Sequence, residues 1–118
     1  MSLAGLLLPS AGDPVVLRHR HWDTAAIINV VGSGHLRGVV PIWSPSGKHE
    51  ILLFAAGDGG PPNLAATALG GVQAQPLGGD VLVLGVANRN IIGLSKEVLL
   101  IIATRLMVAA AVAGELPA

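Results

Sequence analysis

The residues best equipped for chemistry in this chain are His19, His21 and Asp23, in the stretch RHRHWDT at 18–24. They alternate, so an extended backbone would send all three side chains out of one face. Imidazoles and carboxylates are ordinary zinc ligands, and a catalytic zinc needs three protein ligands with one position left open. Arg18 and Arg20 alternate with the histidines, which makes both faces of the segment polar. That second pattern is how an edge strand guards against pairing with another chain. The remaining histidines, His35 in a turn and His49 at the start of a strand, have no spacing that ties them to this segment. The edge-strand reading is therefore the expectation, with no metal and no cofactor bound.

The spacing H-x-H-x-D over His19–Asp23 resembles strand motifs of metal hydrolases, the metallo-β-lactamase signature among them, and that resemblance implies a zinc site here. The signature continues with a histidine directly after the aspartate, where this chain has Thr24. At 118 residues the chain is also too short for that fold.

Two further stretches carry polar groups near helix or strand ends. GDGGPPN, residues 57–63, is glycine-rich before a short helix, where backbone amides can hold an anion. It lacks the Lys-Ser/Thr of a P-loop and does not read G-x-G-x-x-G. Asp58 would repel an anion at close range, so a structural turn is expected, with Asp58 and Asn63 as the residues that would touch any ligand. Asn88 and Asn90, in NRN, follow an apolar strand and precede the main helix. Such residues supply turn hydrogen bonds, and loops after strands also carry function. No G-x-S-x-G nucleophile elbow and no cysteine occur, so no catalytic residue is assigned.

Composition limits what the surrounding elements can be. Apolar residues make up 52% of the chain and charged residues 12%, and the aromatics are only Trp22, Trp43 and Phe54. A core of Val, Ile, Leu and Ala is implied. This is more apolar material than so small a domain easily hides, which favours an oligomer. Seven basic and seven acidic residues balance to a net charge of zero, which is no field for a phosphate backbone, so nucleic acid is not an expected partner. The N-terminal leucines lack a basic flank. The apolar run Val98–Ala113 is broken by Thr104 and Arg105 and falls short of the ~20 residues of a membrane span. A cytoplasmic protein that does not engage membranes is the expectation.

The chain reads as one α+β domain, 1–118, with residues 1–12 as an arm or first strand. Strand-like stretches lie at 13–20, 24–32, 35–43 and 48–57, joined by short turns that imply antiparallel neighbours. Pro41 confines its strand to an edge or a bulge. Pro61-Pro62 and Gly70-Gly71 bracket a short helix at 62–69, and 80–88 is a further strand. Ser95 caps a long helix, with Glu97 in its first turn and Gly114 closing it. The predicted order is β-β-β-β-α-β-α: a mainly antiparallel sheet with a long C-terminal helix and a short helix packed on it.

On that last helix Leu99, Ile102, Leu106 and Ala113 should face the sheet, and Glu97, Thr104 and Arg105 should face away. Ile101, Val108 and Val112 fall among the polar residues, where a surface helix would place Lys, Glu or Gln. Either the N-terminal arm or a second copy must cover them, and a contact through Ile101, Arg105, Val108 and Val112 is expected. In element order, residues 80–106 resemble the end of small dimerising α+β modules such as roadblock/longin-type subunits and proteasome-assembly chaperones. The expected function is a non-catalytic protein-interaction or assembly module, partnered by itself and by another protein. The alternative is a small enzyme or ligand-binding protein using His19, His21 and Asp23 or the Asp58–Asn63 loop.

Overall fold

A computed structural model describes residues 2–56, 60–70 and 77–115, with the side chains of the last helix described to Val108. β1 (Leu3–Leu8) and β2 (Val15–His19) form a hairpin, followed by α1 (Thr24–Val31). β3 (Leu36–Ser44) and β4 (Gly47–Ala55) form a second hairpin, followed by α2 (Leu64–Gly70). β5 (Val81–Ala87), the short β6 (Asn90–Ile92) and α3 (Lys96–Glu115) complete the chain. The sheet runs β2-β1-β5-β4-β3 with every pairing antiparallel, and β6 extends the β1 side of β5. The α+β class, the antiparallel sheet, the short helix and the long C-terminal helix are as the sequence predicts.

One predicted strand is a helix, and the short β6 is an element beyond the predicted order. Residues 24–32 are not a strand: Thr24–Val31 is helical. The Asp23 carboxylate accepts from the Ala26 amide at 2.9 Å, and Gly32, at φ 84°, closes the helix by donating to Ile28 O at 2.7 Å. Only Ile27 and Val31, four residues apart, are buried within it. A strand would have buried alternate residues. The topology demands this helix, because β2 and β3 sit at opposite edges of the sheet and their connection must cross one face. Of the two readings of residues 1–12, the first strand is the one observed, since Leu3–Leu8 pairs inside the sheet and does not cover the last helix.

The sheet is covered on both faces. α1 and Trp22 pack against Leu52, Phe54, Leu82 and Leu84 on one side. α2 and α3 pack against Leu8, Ile51, Leu53, Val81 and Val83 on the other. Val81 to Leu84 are each 0% exposed, so β5 is the central strand whose uninterrupted apolar run answers to cover on both faces. Pro41 lies on the edge strand β3, opposite Glu50, as its missing donor requires. Among the described residues, no helix is long and apolar enough to cross a membrane.

The helix ends follow capping chemistry. Ser95 Oγ accepts from the Val98 amide at 3.2 Å, as the sequence predicts. α2 begins two residues later than the prolines suggest, because Pro62 bridges to Gly78 and Asn63 is the cap. α3 continues through Gly114 to Glu115 where a stop was expected.

Candidate functional site

The RHRHWDT stretch does not stay extended. β2 ends at His19, His21 is exposed in the following turn, and Asp23 is committed to capping α1. The anchor of the segment is Trp22, which sequence reasoning passed over. It is 4% exposed, and its Nε1 donates to Leu3 O at 3.0 Å. The His19 ring lies against it at 4.5 Å, and a Cβ at Gly5 would come within 2.9 Å of the indole. β2 is an edge strand, which is where the polar alternation belongs. Among the described residues no three His, Cys, Asp or Glu side chains gather at metal-binding distance.

Asn63 is buried and fully used by its own chain. Its Nδ2 donates to Leu8 O at 2.8 Å and to Gly79 O at 2.7 Å, and its Oδ1 accepts from the Ala66 amide at 3.0 Å. Asp58 lies outside the described residues. Asn88 and Arg89 have φ of 52° and 67° and form the two-residue turn between β5 and β6. Positive φ at both central positions is what a tight hairpin of this twist demands. Asn90 Nδ2 donates back to Asn88 O at 3.3 Å.

A polar cluster joins the tip of the β3–β4 hairpin to the start of α3. The Ser44 and Ser46 hydroxyls lie 2.9 and 3.0 Å from His49 Nε2. Ser46 donates to Glu97 Oε2 at 2.5 Å, and that oxygen is 3.7 Å from His49 Nε2. Beside it, under the first turn of α3, is a recess of about 300 Å³ bordered by His49, Gly85, Asn88, Ile92 and Ser95. Serine, histidine and glutamate together suggest nucleophilic catalysis, but the geometry differs. A proton relay needs the carboxylate on one ring nitrogen and the hydroxyl on the other. Here both hydroxyls and the carboxylate gather at Nε2, so the cluster is a clasp between hairpin and helix. Fifty-one residues separate Ser46 from Glu97, so no local pattern could have joined them.

The clasp has a pH signature. The Ser46 hydrogen bond, chiefly, holds the Glu97 carboxyl below its ordinary 4.5, aided by Ser44 and the His49 charge and opposed by desolvation. A depressed carboxylate contributes stability above its unfolded value and loses it as pH falls through the folded one. Glu97→Gln should therefore lower the urea midpoint near neutral pH, and the difference from wild type should shrink as pH falls below the ordinary 4.5 and through the lower folded value. Midpoints measured across that range check it, and a difference independent of pH would remove Glu97 from the clasp.

The outer face of α3 is the other feature. Val98, Leu99, Ile102 and Leu106 pack toward the sheet, three of them as predicted. Of the expected contact residues, Ile101 is half-buried against its own core, while Arg105 and Val108 are exposed. The side chain of Val112 lies outside the described residues. The more conspicuous residues are Leu100 and Met107, 61% and 73% exposed, with the exposed Ala103 between them. They form one wall of a groove of about 620 Å³, and Leu6 of β1 and Val16 of β2 form the other. Its surface is apolar except for Asp13 and Lys96. α2 and β3 pack along one flank of α3, and the groove opens along the flank toward β1 and β2. Helical spacing alone put the unpartnered stripe at Ile101 and Val108. Val108 is exposed as expected, but the direction from which the sheet approaches half-buries Ile101 and leaves Leu100, Ala103 and Met107 exposed as well.

Compared with protein-family models, curated proteins and solved structures, the chain finds no match.

Proposed function

We propose that this chain is a non-catalytic protein-interaction or assembly module of the cytoplasm, docking its partner along the groove between α3 and the β1–β2 hairpin. The observation that carries the reading is the exposure of Leu100 and Met107 beside Val16, itself 46% exposed, in one apolar groove. Isolated apolar side chains on a surface need no explanation, but a contiguous patch does. Burying one Leu or Met side chain fully is worth roughly 1.5–3 kcal/mol, so the stripe and the groove wall together can drive association. The polar residues support the same reading, since Asn63 and Asp23 are occupied with structural hydrogen bonds and the His49 cluster lacks a relay geometry.

Methionine oxidation tests this directly. In the free chain Met107 should oxidise readily, as its exposure dictates. In intact cells expressing the protein, oxidant treatment followed by mass spectrometry should find Met107 protected relative to the dilute purified chain. Equal oxidation in both would remove the docking reading.

A further inference from the structure

We infer that the groove is filled by a second copy of this chain, related by a two-fold axis that sets the α3 helices antiparallel. The inference rests on the docking reading above and names its partner.

The argument comes from how charge is laid along the groove. Lys96 stands two residues after Leu94, whose amide donates to Ala4 O at 2.8 Å, so it lies at the Ala4 end of β1. Asp13 stands two residues before Val15, which pairs with Leu7, so it lies at the other end of β1. The groove therefore carries a cation at one end, an anion at the other and apolar wall between. A two-fold rotation reverses the groove, placing Lys96 of each copy over Asp13 of the other. A parallel arrangement would set lysine against lysine and aspartate against aspartate, a repulsion that selects against it.

Shape points the same way. An isologous contact requires one patch to be complementary to itself. This face carries both a ridge, Leu100 and Met107, and the groove beside it. Ala103, between the two ridge residues, leaves room for the helices to cross closely. A net charge of zero leaves no long-range repulsion between copies. A foreign amphipathic helix would fill the groove as well, but nothing in it would require the paired charges at the two ends.

The test uses the full chain in analytical ultracentrifugation at low salt, with circular dichroism confirming that each variant folds. Wild type should be a dimer. Met107→Glu should weaken it at least tenfold, as charge at an interface centre does. Lys96→Glu and Asp13→Lys should each weaken it about tenfold, because each sets like charges opposite one another at both ends. Combined in one chain, Lys96→Glu and Asp13→Lys should restore wild-type association to within about threefold, since the pairs re-form with reversed sign. A wild type that stays monomeric at about 100 µM, a Kd above any useful dimer, overturns the second copy while leaving groove docking to the methionine experiment. A dimer broken by Met107→Glu but not rescued by the double charge reversal overturns the antiparallel arrangement alone. A dimer indifferent to Met107→Glu forms through another face, which overturns this inference and again leaves groove docking to the methionine experiment.

Discussion

Trp22→Ala should lower the free energy of unfolding by about 3–5 kcal/mol, the range for emptying a buried aromatic site. The indole is 4% exposed and belongs to the cluster that joins α1 to Leu52, Phe54, Leu82 and Leu84. It also supplies the donor to Leu3 O, which ties the turn after β2 back onto β1. The cavity cannot close cheaply, because Gly5 beneath the ring has no side chain with which to fill it. His21→Ala, at an exposed neighbour without packing or capping duty, should stay within about 0.5 kcal/mol of wild type. Urea unfolding followed by circular dichroism compares the two. A large loss at His21 with a small one at Trp22 would make the histidine, not the indole, the anchor of the RHRHWDT stretch.

The second large effect is expected at Asn63. Leucine there matches the size of the buried side chain but supplies no hydrogen bonds. Losing the cap of α2 costs about 0.5–2 kcal/mol, and each buried carbonyl left without a donor costs about 1–3 kcal/mol. Leu8 O and Gly79 O both lose their Asn63 donor, so the total is on the order of 2.5–8 kcal/mol, toward the lower end because the bond to Gly79 is only part-buried. Asn63→Asp is the sharper variant, because it keeps the capping oxygen, removes both donors and buries a carboxylate. It should be at least as damaging as leucine. Were Asn63 a ligand-binding residue, both variants would fold normally and lose only binding, and the urea midpoint separates these outcomes.

Both positions show how a polar residue near a loop can signal structure as readily as chemistry. Asp23 and Asn63 are of the type and placement that bind ligands, and they are also of the type and placement that cap helices. Capping prevails at each because the amide three residues on, Ala26 or Ala66, lies in the first helical turn and would otherwise lack a partner. The misreading of Thr24–Val31 has the same root. Its Ile and Val residues favour a strand by local preference, while Asp23 and Gly32 bracket it as a helix. A short apolar run does not choose between the two by periodicity alone. The need to cross from β2 to β3 over the sheet does.

Local chemistry was sufficient wherever an element carried its own signal. The turn between β3 and β4, the edge position of Pro41, the cap at Ser95 and the inward residues Leu99, Ile102 and Leu106 were all legible in the sequence, because each depends on neighbours within a few residues. The α+β class followed from those elements together. Tertiary structure decided what depends on approach from a distance: the helical crossover, the seat of Trp22 against Gly5, and the meeting of Ser46 with Glu97. It also decided which flank of α3 is covered, since α2 and β3 pack on one side and leave Leu100, Ala103 and Met107 beside an open groove. Periodicity makes a helix amphipathic, but only the arrangement of its neighbours determines which apolar residues remain without cover.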